Sequence, residues 1–266
     1  MKNKNYINNT WIDALDGKTF DVENPFTEET IAQVPYSSAK DIDSAVQAAK
    51  IAWKDWTKLG SLEMRDLLRE VAVKSRAHDR AIAEVITSES GKPIIECLDE
   101  IEWIASIFEY YSEIGRDQRG RVVAPVTPRS MSMVVKESYG VVACIVPWNY
   151  PLLLMAWKAA PALAAGNTVV VKPSEITPLS MMIWLEKCCD HLPKGIINLV
   201  TGFGDTGSFL VEHPDTKVIA FTGSVDTGKK IAMMAAPQLK KTSLELGGND
   251  PIIICDIFNK YFYKKK

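Results

Sequence analysis

Val141-Val142-Ala143-Cys144-Ile145-Val146-Pro147-Trp148-Asn149-Tyr150-Pro151 is the stretch whose reading decides the fold. A run of apolar, largely β-branched residues marks a strand covered on both faces, because a half-solvated strand would alternate apolar with polar. Two prolines then bound a short loop, and a helical run follows over about Leu152–Ala165. The same unit recurs downstream, with strands near Thr168–Lys172, Ile196–Val200, Val218–Phe221, Ser243–Leu246 and Ile252–Cys255. Helices near Leu179–Cys189, Thr206–Glu212 and Thr227–Ala235 separate them. Strands alternating with helices predict an α/β fold with a doubly wound parallel sheet, since right-handed crossovers place helices on both faces. Ligands of such a sheet sit beyond the carboxyl ends of its strands.

Upstream of this region the periodicity is helical. Ser37 or Ser38 can cap a helix carrying Ile42, Val46, Ala49, Trp53 and Trp56 on one face. Further helices are expected over Leu62–Ser75, Asp79–Ser90 and Ile94–Ile114, with Gly91 and Gly115 as carboxyl-terminal caps. Residues 117–138 scatter Pro, Arg and Thr among β-branched residues and read as a hairpin arm suited to pairing with another subunit. The charge balance, 31 Lys+Arg against 33 Asp+Glu, gives no basic excess for nucleic acid. Five cysteines without C-x-x-C spacing and three histidines give no metal site, and the unpaired count points to a reducing cytoplasm. Pro147, Pro151, Lys158 and Pro161 interrupt the longest apolar stretch, so no membrane span is expected, and the first residues lack a secretory signal.

Five strand-end loops carry the candidate chemistry. In Pro147-Trp148-Asn149-Tyr150-Pro151 the prolines remove donors and stiffen the backbone, so the loop can present the Asn149 amide as an oxyanion donor or use it to satisfy its own turn. Lys172-Pro173-Ser174-Glu175 places an ammonium and a carboxylate where ribose hydroxyls would lie, and Glu175 would repel a 2′-phosphate, favouring NAD over NADP. Alternatively Glu175 serves the next helix as an N-terminal acid. Gly202-Phe203-Gly204-Asp205-Thr206-Gly207 fits G-x-G-x-x-G but lacks the acid that should follow, which favours turn packing near a nucleotide over a fingerprint. Phe221-Thr222-Gly223-Ser224 opens a helix and forms an anion site from amides and a hydroxyl. Gly223 to Lys230 imitates a P-loop, but Lys230 stands where magnesium needs a hydroxyl, so nucleotidase chemistry is disfavoured. In Leu244-Glu245-Leu246-Gly247-Gly248 the flanking leucines predict a partly desolvated Glu245, poised as a general base.

Taken together, Pro147-Trp148-Asn149, Lys172-Pro173-Ser174-Glu175, Phe221-Thr222-Gly223-Ser224 and Glu245-Leu246-Gly247-Gly248 resemble the aldehyde dehydrogenase superfamily in order and spacing, over roughly Asn5 to Cys255. The resemblance implies NAD-dependent oxidation of a small aldehyde to a carboxylic acid, with a cysteine thiolate attacking the aldehyde and hydride passing to the nicotinamide. It assigns Asn149 to the oxyanion, Glu245 to water activation, Lys172 and Glu175 to the ribose, Gly223 and Ser224 to the pyrophosphate, and Ser174, Phe221 and Thr222 to cofactor binding. Ile145, Pro147 and Trp148 would line the cofactor cleft, Gly202 and Gly207 would shape the adenine end, and Leu246 and Gly247 would approach the cofactor. The arm matches the superfamily's oligomerisation hairpin, and Trp157-Lys158 is similar to betaine-aldehyde-type members.

The resemblance also divides the chain into a cofactor domain, 1–256, and an atypical tail, 257–266, standing where a catalytic domain with the nucleophilic cysteine would follow. The cysteines present read as small core residues, so the chain is expected to be inactive by itself, as a truncated or frameshifted reading frame would be. The competing reading is a non-catalytic protein that binds NAD or pairs with an intact homologue.

Overall fold

The computed structural model describes residues 2–117 and 119–253. Four short strands come first, β1 (Asn5–Ile7), β2 (Thr10–Ile12), β3 (Thr19–Glu23) and β4 (Thr30–Pro35). Helices α1 (Ala39–Trp56), α2 (Ser61–Ala77), α3 (Asp79–Ser90) and α4 (Ile94–Ile114) follow, then the arm strands β5 (Arg121–Val123) and β6 (Ser132–Val134). The alternating part comprises β7 (Val141–Ile145), α5 (Pro151–Ala164), β8 (Thr168–Lys172), α6 (Leu179–Cys188), β9 (Ile197–Leu199), α7 (Gly204–Glu212), β10 (Thr216–Gly223), α8 (Val225–Ala235) and β11 (Lys241–Leu246).

The main sheet has seven strands in the order β11-β10-β7-β8-β9-β1-β2. From β11 to β9 every neighbour is parallel, as expected for a doubly wound α/β sheet. Successive residues of the central strands serve opposite cores. Val142, Cys144, Val169 and Val171 pack with α5 and α6, over which α2, α3 and α4 form a further layer. Val141, Ala143, Ile145 and Val170 pack with α1, α7 and α8. This two-sided burial is why β7 and β8 are apolar runs without alternation.

Three expectations need correction. The first part of the chain is not wholly helical, because β1 and β2 extend the sheet antiparallel beyond β9, and β3 pairs with β4. Asn8 and Asn9 carry φ of 52° and 58° between β1 and β2, the left-handed pair that a two-residue hairpin turn demands. Gly115 does not terminate α4 in a left-handed cap. Its φ is −56°, the chain continues into a 3-10 turn, and a Cβ there would stand 3.0 Å from the Ala164 carbonyl oxygen, so the residue serves close helix approach. No strand forms at Ile252 and Ile253, which are exposed and without a neighbouring strand, while Ile254, Cys255 and the tail lie outside the described residues. Gly91, by contrast, caps α3 at φ 73°, and Ser38, not Ser37, precedes α1, its backbone N–H donating to Asp41 at 2.8 Å. Among the described residues no helix is long and apolar enough to cross a membrane, and no cluster of metal-ligating side chains occurs.

Candidate functional site: the carboxyl end of the parallel sheet

From β7 the chain steps to β8 and β9 on one side and later to β10 and β11 on the other, so strand order reverses between β7 and β10. The helices leaving these two strands cover opposite faces, and a crevice opens where they part. Strand register sets the crevice rim in one row, with Lys172 beside Ile145 and Ile145 beside Phe221. A cleft of about 630 Å³ lies there, within the range of ligand sites. It is lined by Ile145, Pro147, Trp148, Lys172, Ser174, Glu175, Gly207, Phe221, Thr222, Gly223 and Ser224, drawn from four separate segments of the sequence.

Lys172 ends β8 with its side chain 7% exposed, and burial lowers its pKa from the usual ammonium value against the attraction of Glu175 and Asp205. Its Nζ donates to the Pro173 carbonyl at 3.1 Å and lies 3.7 Å from Glu175, leaving donor capacity toward the cleft. Glu175 does not serve α6. The amides of Leu179 and Ser180 at that helix start are bound instead by the fully buried Glu89, at 2.6 and 2.9 Å. Ser174 is buried, its Oγ accepting from the Ile176 amide at 3.3 Å. Gly207 stands against the Lys172 stem, where a Cβ would be 3.8 Å from Cδ, so nothing bulky separates the α7 backbone from the lysine. Ser224 caps α8, its Oγ accepting from the Thr227 amide at 3.2 Å, which puts the positive end of that helix at the cleft. A dinucleotide fits this donor set, with an ammonium and carboxylate at one end, helix amides in the middle and apolar walls between.

Five predicted residues do not line the cleft. Gly202 lies before α7 with φ 151°, and a Cβ would collide with Thr206 Oγ1 at 2.1 Å, so its need is conformational. Leu246 packs onto Gly228 of α8, and Gly247 is exposed with open space around it. Asn149 is exposed on the α5 side of the rim. Its side chain has no hydrogen-bond partner among the described residues, which removes the reading in which it satisfies its own turn. Glu245 is exposed rather than desolvated, because β11 is the outermost strand and nothing described covers its outer edge. Glu245 does sit beside Thr222 in register, and Thr222 Oγ1 accepts from Lys158 Nζ at 2.5 Å. Burial lowers the pKa of Lys158, with Cys144 and Glu245 pulling the other way.

Sequence reading missed Thr227, Lys230, Ile231 and Met234, which line the cleft from one face of α8, and Gly204 and Ser208, which do so beside Gly207 on α7. Their spacing of three and four residues was available as a signal once each helix start was placed. Phe203 also faces the cleft and packs its ring on Phe20 and Tyr36, with centroids 4.9 and 5.2 Å away. Tyr36 in turn donates to Asp205 at 2.7 Å, an anchor for the start of α7 that depends on β3 and β4 and left no local signature.

The family model for the aldehyde dehydrogenase family matches residues 11–260. The chain belongs to the aldehyde dehydrogenase family. It is 39% identical over 261 residues to betaine aldehyde dehydrogenase 1 of Oryza sativa subsp. japonica, covering 94% of this chain and 52% of the rice protein. Identity is also 39% to the mitochondrial succinate-semialdehyde dehydrogenase of Arabidopsis thaliana, over 96% of this chain and 49% of that protein. The chain thus spans about half the length of the curated relatives it matches. Betaine aldehyde dehydrogenase from Staphylococcus aureus, solved in complex with NAD+, superposes with a TM-score of 0.89 at 35% identity, over 93% of this chain and 50% of that one. An NADP-dependent enzyme of E. coli gives 0.91 at 36% identity, over 93% and 52%.

Proposed function

We propose that this chain holds NAD in the cleft between β7 and β10 and supplies the cofactor half of an aldehyde dehydrogenase that oxidises an aldehyde to a carboxylic acid. The observation that carries the proposal is the meeting of Lys172, Glu175, Gly207 and the Ser224 cap in a single cleft at the strand reversal. Lys172 and Glu175 hold the ribose hydroxyls, while Gly223, Ser224 and the first amides of α8 bind the pyrophosphate. Ile145, Pro147 and Trp148 form an apolar wall of the cleft. When bound, the nicotinamide is the hydride acceptor. Asn149, its side chain exposed and without a partner among the described residues, donates its amide to the oxygen that gains charge as the aldehyde carbon becomes tetrahedral. Glu245 takes a proton from the water that releases the acid.

The attacking thiolate comes from none of the four described cysteines. Cys97, Cys144, Cys188 and Cys189 are buried, and burial pushes the Cys144 and Cys188 thiols up to about 12. These residues therefore produce no NADH from aldehyde without a thiol from elsewhere. The free thiols suit a reducing compartment, and we place the protein in the cytoplasm on that ground. The arm leaves Val122, Met131 and Met133 exposed at 77%, 78% and 60%, an apolar ribbon that fits pairing with a second copy.

Calorimetric titration of the purified, folded chain with NAD and NADP tests the cofactor reading. NAD is expected to bind more tightly, because the Glu175 carboxylate repels a 2′-phosphate, and Glu175→Gln is expected to narrow the gap. Heat from neither nucleotide, or a preference unmoved by the substitution, would overturn it.

A further inference from the structure

Two buried carboxyl groups of the outer helices each reach inward to bind the amino end of another helix, and among the described residues only one of the two is paired with a cation. Glu89 of α3 binds the first amides of α6. Glu100 of α4, with its side chain fully buried, accepts from the amides of Leu152 and Leu153 at the start of α5, at 3.0 and 3.1 Å. Its other oxygen meets Lys92 Nζ at 2.6 Å. Lys92 continues past this pair to the loop that presents Asn149. Its ammonium donates to the Asn149 carbonyl at 3.3 Å and stands 3.6 Å from the centre of the Tyr150 ring. The pairing with Lys92 offsets the cost of burying the Glu100 carboxylate, but capping α5 does not require the contacts that Lys92 makes with Asn149 and Tyr150.

We propose that Lys92 and Glu100 are positioning residues that fix the direction of the Asn149 side chain. The inference rests on the oxyanion role given to Asn149 above. Pro147 and Pro151 each fix one φ angle, and a residue before proline is restricted as well, so Tyr150 is held at φ −137° and ψ 67°. The backbone of Trp148 and Asn149 between the two prolines carries no such restriction, so the peptide joining Asn149 to Tyr150 needs a contact from outside the loop to hold it. Lys92 pins this peptide by its oxygen and by the adjacent ring, while Glu100 pins the first two amides of α5 beyond Pro151. Asn149 is thereby oriented from behind, through its backbone, and its amide stays free to face a ligand. The Lys92 side chain is 13% exposed, so little water competes for the ammonium.

The test is amide hydrogen exchange on the full chain with 15N NMR of the Asn149 side-chain NH2, comparing wild type with Lys92→Met, Lys92→Arg and Glu100→Gln. Lys92→Met is expected to speed exchange at Leu152 and Leu153 about tenfold, the scale of one lost charge-assisted hydrogen bond, while amides of β7 and the middle of α4 hold their rates. The Asn149 NH2 signal is expected to shift and broaden in the same variant, and Lys92→Arg should restore both readouts. Glu100→Gln is expected to reproduce the Lys92→Met pattern. Unchanged Asn149 and Leu152 signals in folded Lys92→Met overturn the proposal, as does acceleration spread evenly through α4 and β7. Failure of both Lys92→Met and Glu100→Gln to fold would make the pair part of the core and overturn it equally. A wild-type chain that binds no NAD strikes the cofactor reading instead, and the titration reports that separately.

Discussion

β8 and β11 belong to the same parallel sheet, and each brings a charged residue to its carboxyl end, Lys172 from one and Glu245 from the other. β8 lies between β7 and β9, all five of its residues are buried, and Lys172 has lost enough water to lower its pKa. β11 has a neighbour on one side only, and Glu245 remains in solvent. Both charges stand next to apolar residues, so their immediate neighbours do not separate them. Position in the sheet does, because two flanking strands and two helical layers remove water that one flanking strand leaves in place. Within the proposed site, Lys172 is therefore a buried group with fixed partners, whereas Asn149 and Glu245 are side chains that the described residues leave open.

The sharpest way to break this contrast is at the buried end. Gly202→Ala is expected to cost about 3 kcal/mol or more in urea unfolding, since its φ disfavours any side chain and the new Cβ meets Thr206, whose hydroxyl bonds the Ser37 carbonyl at 2.8 Å. A cost below about 1 kcal/mol would show that the turn yields freely. Lys172→Met should weaken NAD binding about tenfold to a hundredfold by calorimetry, as loss of a hydrogen bond from a charged donor to the ribose does. An unchanged affinity would remove Lys172 from the site.

Acidity sharpens the same comparison. Burial pushes the Glu89 carboxyl up to about 8 from 4.5, against the amides that bind it. Over that window the folded chain keeps a proton that the unfolded chain has released, so the stability tied to this group is greatest at acid pH and declines as pH rises toward 8. Glu89→Gln should flatten that decline when unfolding is measured at several pH values, and an undiminished slope would count against the buried carboxyl. Glu245→Gln should have the smallest effect, within about 0.5 kcal/mol of wild type and with NAD affinity unchanged. A larger loss would mean that the β11 edge is covered in solution.

Much of this was legible beforehand in some places and not in others. The uninterrupted apolar runs at Val141 and Thr168 mark central strands because both faces are covered, and the loops after them are then the places to look for ligands. The Asn8-Asn9 turn joins strands too short to show a period, so the first part of the chain reads as helical. For Glu245 the flanking leucines signalled burial, yet Leu246 turns to Gly228 of α8 and the carboxylate stays outside. Phe20, Tyr36 and Phe203 come from distant segments, and no local spacing brings them together.

By itself the sequence determined the α/β order of elements from Val141 to Leu246, the strand-end loops and the residue types they carry, because these depend on periodicity, on proline and glycine backbone limits and on the family pattern of Pro147-Trp148-Asn149 and its companions. Only the tertiary structure decided which of those residues share a cleft, which charges lie out of water, and that Lys92 and Glu100 stand behind Asn149. Burial and long-range hydrogen bonds are set by neighbours in space, and a carboxylate capping a helix fifty residues away leaves no trace in the residues beside it.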